Sequence, residues 1–190
     1  IREELGLLDN YIYIMNTRFG DRFKFEKNIQ EDLLESKIPN MILQPLVENC
    51  IKHGLKDKIK GGIIKIRVGK SAESAESEKS AVGMSPTAPK SAEEAQDTQK
   101  SADSEKIRIS ISDNGTGFSP VIKQKILEAS KAGAGTIIRE MKDEEKEHHS
   151  TGLLNVISRL KLYYKQNDIL QILDNPEGEG TMFLITIPNV

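Results

Sequence analysis

The sequence predicts an α+β fold, in which helical segments accompany strands that include an antiparallel hairpin. Two observations point there. Apolar residues recur at helical spacing in some segments and at every second position in others. Two alternating segments, residues 63–68 and 107–112, flank a long polar stretch and read as strands of one enlarged hairpin. The expected helices are 2–19, 40–56, 119–131 and 152–165. The expected strands are 22–29, 62–69, 106–112, 169–174 and 180–188.

The first helix follows from Ile1, Leu5, Leu8, Ile12, Met15 and Phe19, spaced 4, 3, 4, 3 and 4. That is a heptad stripe, suited to packing along other helices. An ordinary amphipathic helix lying on its own domain has the same pattern. Arg22-Phe23-Lys24-Phe25-Glu26 then alternates as a half-exposed strand. Pro39, with Ser36 upstream, marks the start of the next helix, 39–56. Its Leu43, Leu46, Val47, Cys50 and Ile51 form one apolar stripe. Glu48, Asn49, Lys52 and His53 lie on the other side. Asn49, Lys52 and His53 are neighbours at i, i+3 and i+4. An amide oxygen with cationic and imidazole donors suits a phosphate–Mg2+ site, and a solvated polar face explains the pattern as well.

Residues 71–105 differ in composition. They hold eight Ser, seven Ala and no aromatic residue, and Lys-Ser-Ala recurs at 70–72, 79–81, 90–92 and 100–102. With so little apolar surface to bury, the segment is expected to be disordered, a tolerated insertion or a partner-binding tether. Three lysines against eight acids give it −5 of the chain's net −2, so the other 155 residues carry +3.

After the insert, Ile107, Ile109 and Ile111 alternate onto Asp113, which therefore points toward the core. A carboxylate there is costly unless something donates to it. Asn114-Gly115-Thr116-Gly117 follows at once, and its two glycines permit a sharp turn and close backbone approach to a ligand.

Composition excludes other classes. A pI near 6.0 lacks the basic footprint of a general nucleic-acid binder. One cysteine, Cys50, excludes an internal disulfide and a Cys-rich zinc site. No apolar run approaches the roughly 18–20 residues of a bilayer span, and no signal peptide opens the chain. The opening at Ile1, in mid-pattern and without Met, reads as a piece of something longer.

Four segments resemble the motifs of the GHKL ATPases, in the family's order. Residues 43–54, LQPLVENCIKHG, are similar to the asparagine box, and residues 113–118, DNGTGF, to the first glycine box. Thr151-Gly152-Leu153-Leu154-Asn155-Val156 through Arg159-Leu160 resembles the second glycine box, and Gly178-Glu179-Gly180-Thr181 the last. The wording of the asparagine box, with the upstream NYIYIMNTRFGDRF, resembles the LytS/YesM-type sensor histidine kinases in particular. The resemblance covers nearly all of the chain outside 71–105. It implies a Bergerat-type ATP-binding catalytic domain over 21–190, a two-layer α/β sandwich whose mixed, mostly antiparallel sheet carries helices on one face, preceded at 1–20 by the end of a dimerisation and phosphoacceptor region.

The family implies roles for matching positions. Asn49 would ligate Mg2+ on the phosphates of ATP, and Lys52 and His53 would contact phosphate or ribose. Glu48 would orient water or another side chain, or simply be exposed. Asp113 would accept from the adenine amino group, with Gly115 and Gly117 shaping that pocket. Thr151, Gly152 and Leu153, at a helix N-terminus, would face the phosphates. Thr181 would sit near the adenine. The implied activity is a protein-histidine kinase. It would transfer phosphoryl to a histidine outside this chain and onward to the receiver domain of a response regulator. Its parent would be a homodimer anchored in the bacterial membrane with this part in the cytoplasm. Another GHKL ATPase, a serine kinase and a non-catalytic nucleotide-binding module are the alternatives. The departures are Ser150, where the second glycine box has glycine, and the histidines, which are only His53, His148 and His149. None of these three is in a phosphoacceptor context. His148-His149, in a lid over about 118–150 that also holds Gly133 and Gly135, lacks the partners of a metal site.

Overall fold

The computed structural model describes residues 1–71, 106–118, 120–131 and 151–189. The insert beyond Ser71, the lid glycines Gly133 and Gly135, His148, His149 and Ser150 lie outside the described residues.

Five strands form one sheet in the order β1-β2-β3-β5-β4: β1 (Phe23–Ile29), β2 (Gly62–Lys70), β3 (Lys106–Asp113), β4 (Leu170–Asp174) and β5 (Thr181–Pro188). β1 runs parallel to β2 and every other pair is antiparallel. The expected hairpin is present, with Lys70 opposite Ile107 and Ile64 opposite Asp113. Period-two alternation sends Ile64, Ile66 and Val68 of β2 to the same face as Ile107, Ile109 and Ile111 of β3 and Phe183, Ile185 and Ile187 of β5. All nine are buried. The helices α1 (Arg2–Phe19), α2 (Leu43–Asn49), α3 (Pro120–Lys131) and α4 (Thr151–Tyr164) supply the second layer. Their apolar residues, among them Leu8, Leu46, Val47, Val156 and Leu160, join that core.

The stripe on α1 is used within this fold. Ile1, Leu5, Leu8 and Ile12 are buried in the common core, and Met15 and Phe19 pack against it.

The second helix departs from expectation. It begins at Leu43, not at 39 or 40, because Met41 sits in the left-handed region at φ 60° and cannot continue a helix. Its regular part ends at Asn49, and Cys50–Gly54 form a π-turn closed by Leu55 N–H on the Cys50 carbonyl at 2.8 Å. Such turns recur beside functional sites.

The other face of the sheet carries Lys65 and Arg67, and both pair with Glu177 of the β4–β5 turn. Hydrogen bonds from Lys65 and then Arg67 hold the Glu177 carboxyl down at about 2. A depressed carboxylate stabilises the fold above its ordinary value of 4.5 and stops doing so as pH falls toward 2. Glu177→Gln should therefore melt below the parent at pH 6, by at most about 1 kcal/mol for so exposed a group. The gap should close by pH 2. A difference that stays constant across this range in a melting series would show that the ion pairs do not anchor the turn.

Candidate functional site

Asp113 is the centre of the site. It ends β3 on the core face, as the alternation requires, and is 2% exposed. Three backbone segments close around it, and each does so at a glycine. A Cβ on Gly54 would fall 2.6 Å from Asp113 Oδ1. One on Gly115 would fall 2.7 Å from the Gly54 Cα. One on Gly180 would fall 2.7 Å from the Asp113 carbonyl carbon and 2.9 Å from Gly115 N. A larger residue at Gly54 meets the Asp113 carboxylate itself, and one at Gly115 or Gly180 meets backbone.

Two asparagines stitch the same segments together. Asn114 Oδ1 accepts from Ile63 N–H at 2.8 Å, and its Nδ2 donates to the Gly61 carbonyl at 3.0 Å. Asn175 Nδ2 donates to the Asp113 carbonyl at 2.8 Å, and Asn175 N–H donates to the Gly180 carbonyl at 3.1 Å. The Gly178–Thr181 turn is thereby tied to the residue it borders.

Gly115 N–H donates to the Asp113 carboxylate at 2.8 Å on Oδ1, and the Cys50 thiol and Thr181 N–H beside it favour its charged form. Burial pushes its acidity up from the usual carboxylate range, and these groups work against that shift. Burial first, and then the Asp113 charge, push the Cys50 thiol well up, so it stays protonated. An ionised carboxylate offers about four lone-pair directions. The Gly115 bond leaves acceptor capacity to spare, and Asp113 lines a narrow cleft that a ligand has to open to reach it. Asn49, Cys50, His53, Gly54, Gly117, Phe118, Thr181 and Phe183 line it with Asp113. Phe118 and Phe183 meet edge to face at 5.9 Å on one side. A flat heterocycle bearing an exocyclic amino group suits such a wall and such an acceptor.

Asn49 borders the pocket at the end of α2. Its Nδ2 donates to the Pro45 carbonyl at 2.7 Å, which leaves Oδ1, a hard oxygen ligand, as the atom to present outward. No cluster of three His, Cys, Asp or Glu side chains lies together among the described residues. A metal at Asn49 would therefore draw most of its ligands from phosphate oxygens and water, which is how Mg2+ is usually held beside a nucleotide.

The remaining sequence candidates divide. Gly117, at φ 72°, and Thr181, 2% exposed, belong to the pocket. His53 lines it as well. Lys52 and Glu48 stand outside its lining and pair with each other at 2.9 Å, while Gln44 Nε2 donates to Glu48 at 3.1 Å. Thr151, Gly152 and Leu153 open α4. Gly152 is exposed with open space around it, and the Leu153 side chain is in the core, so Leu153 could meet a ligand only through its backbone. Sequence reasoning missed Cys50 as a neighbour of Asp113, Gly54 and Gly180 as contact points and Asn175 as a stitch. Cys50 lay within the apolar stripe, and nothing in its spacing separates a thiol facing a carboxylate from one facing leucines. A roomier cavity of about 350 Å³, lined by Lys65, Ser112, Glu177 and Glu179, lies across the sheet and shares only Asp113 with this pocket.

Solved structures carry the same architecture. The catalytic domain of the histidine kinase ThkA, in a nucleotide-free form, superposes with a TM-score of 0.51 over 98% of this chain and 95% of its own, at 13% identity. The chain has the fold of a histidine kinase catalytic domain. Among curated proteins, the sensor histidine kinase YpdA of Escherichia coli is 27% identical over 189 residues, all of this chain and 24% of its own length. The sensor protein kinase HptS of Staphylococcus aureus is 43% identical over 54 residues, 28% of this chain and 10% of its own. The chain thus spans a quarter or less of these two curated relatives. No family model matches it.

Proposed function

We propose that the chain is the ATP-binding catalytic part of a two-component sensor histidine kinase, of the LytS/YesM type. The observation that carries this reading is Asp113. It is a buried carboxylate at a strand end, ringed by Gly54, Gly115 and Gly180, with acceptor capacity toward a pocket that Asn49 and His53 share. In this reading Asp113 accepts from the adenine amino group and Gly115, Gly117 and Thr181 shape its seat. Asn49 presents its amide oxygen to Mg2+, and His53 donates to phosphate or ribose. Lys52 and Glu48 act at the rim, and Lys52 must leave Glu48 to reach a phosphate. Thr151, Gly152 and Leu153 offer backbone N–H groups at the start of α4, where anions are favoured. Bound Mg2+ would neutralise phosphate charge during transfer. The chain's own contribution is positioning, which supplies much of the rate in phosphoryl transfer.

The receiving histidine in this reading belongs to another part of a longer, homodimeric and membrane-anchored parent, which passes the phosphoryl group to a response regulator. His53 lines the nucleotide pocket and is not the acceptor. Incubated with γ-labelled ATP and Mg2+, the chain is expected to bind nucleotide and gain no acid-labile phosphohistidine. A longer polypeptide that includes the acceptor helix is expected to label, and Asn49→Ala in it to stop labelling. Stable phosphohistidine on the chain alone would refute this division of labour.

A further inference from the structure

Glu4 belongs to α1, yet its carboxylate serves α2. It is 4% exposed, and Oε1 accepts from Met41 N–H at 2.5 Å while Oε2 accepts from Ile42 N–H at 2.8 Å and Leu43 N–H at 3.0 Å. These are donors that the start of a helix leaves without internal partners. Pro45, in the first turn, has no N–H to satisfy. The residue that precedes α2, Ile42, brings no side-chain acceptor of its own. A helix can be capped locally by one Ser, Asp or Asn at that place. Here the cap is supplied by a different helix, 37 to 39 residues away in sequence.

Met41 adds a second observation. It is a non-glycine residue at φ 60°, a conformation that persists only where its surroundings over-determine it. The Glu4 carboxylate on its N–H is such a constraint. α2 has only seven residues, so its start and its end, Asn49, lie about 10 Å apart on one rigid rod. Asn49 is followed directly by Cys50, which lines the same pocket as Asp113.

We propose that Glu4 is a positioning residue for the nucleotide site: by holding the start of α2 it sets where the Asn49 amide is presented, so that the seat of α1 governs the affinity for metal-bound nucleotide. This rests on the reading of Asn49 as the Mg2+ ligand. The carboxylate is matched to three backbone donors that move with α2. A shift of α1 along its axis breaks those bonds or carries α2 with it.

The test is calorimetric titration of ATP with and without Mg2+, with adenosine as a second ligand, on the parent chain, Glu4→Gln and Glu4→Ala. The parent should gain affinity for ATP on adding Mg2+. Glu4→Ala should lose about tenfold of that gain, as removal of a helix cap allows, and Glu4→Gln, which keeps one acceptor oxygen, should fall between. Adenosine, held by Asp113, should bind all three within about twofold. A role in stability alone predicts that every ligand is lost together, in step with the melting temperature, and that result overturns the inference. Should Glu4→Ala fail to fold, Glu4→Gln against the parent decides the matter in the same way. A parent that gains from Mg2+ while the variants gain equally overturns this inference alone. A parent with no gain from Mg2+ overturns the reading of Asn49, and this inference with it.

Discussion

Asparagine in place of Asp113 is expected to lower ATP affinity by one to two orders of magnitude. A hydrogen bond to a charged group contributes about 1.5–3 kcal/mol, and the buried position lets no water replace it. The amide cannot be rescued by flipping. The carboxylate accepts from Gly115 N–H, fixed by the local backbone, and in this reading from the adenine amino group on its other oxygen. An amide has one acceptor oxygen, so its NH2 faces a donor whichever way it points. The fold should suffer less than the ligand. Burial pushes the Asp113 carboxyl above its ordinary value of 3.8, so its ionised form is less favourable folded than unfolded. At neutral pH that charge is a cost to stability, and the variant is relieved of it. Titration with ATP and GTP, beside a thermal melt, checks both halves. The parent should prefer ATP, because a 6-carbonyl purine brings an acceptor where Asp113 needs a donor. A parent that binds the two equally well would remove Asp113 from base selection.

Alanine in place of Gly180 is expected to damage fold and pocket together. Gly180 has φ 117°, where L side chains are strained, and its Cβ would meet the Asp113 carbonyl group and Gly115 N. Those neighbours are backbone, so no side chain can rotate away. Overpacking and the backbone strain together should cost about 3 kcal/mol or more. For a chain of this size that lowers the melting temperature by about 6–12 °C. ATP binding should fall with it, since the displaced atoms are those of Asp113 and Gly115. Gly6→Ala is the counterpart. Gly6 lies inside α1, and a methyl group added there would have no atom within 4 Å, so that change should raise stability by about 0.5–1 kcal/mol. Gly180→Ala melting at the parent's temperature with unchanged ATP affinity would mean that the β4–β5 turn does not press on Asp113.

Element types and most boundaries were legible in the sequence because they rest on local periodicity. Ile107, Ile109 and Ile111 alternate, so β3 and the inward direction of Asp113 follow from the geometry of a strand and need no knowledge of the neighbours. The stripe of Leu43, Leu46, Val47, Cys50 and Ile51 is likewise buried as its spacing demands. The start of α2 was misplaced because its cap is not local. Pro39 and Ser36 look like a helix entry, but the acceptor that α2 uses is Glu4, on another helix, and Met41 turns the chain first.

The site divides along the same line. That Asp113 needed donors could be inferred from its position alone. Which groups it met depended on the π-turn that brings Cys50 and Gly54 to it, and on the β4–β5 turn that brings Thr181 and Gly180. Asn49 was legible as a polar residue beside a buried stripe, while the orientation of its amide was decided by the Pro45 carbonyl. Lys52 and Glu48 share the spacing of that face, yet they pair with each other outside the pocket lining. Sequence spacing determines which residues share a face of one helix or strand, because that periodicity is a property of the backbone. Which groups meet from different elements is decided by packing among residues far apart in the chain, as Gly180 and Gly54 are around Asp113. No local pattern encodes that meeting, because each partner's own neighbours in sequence would look the same without it.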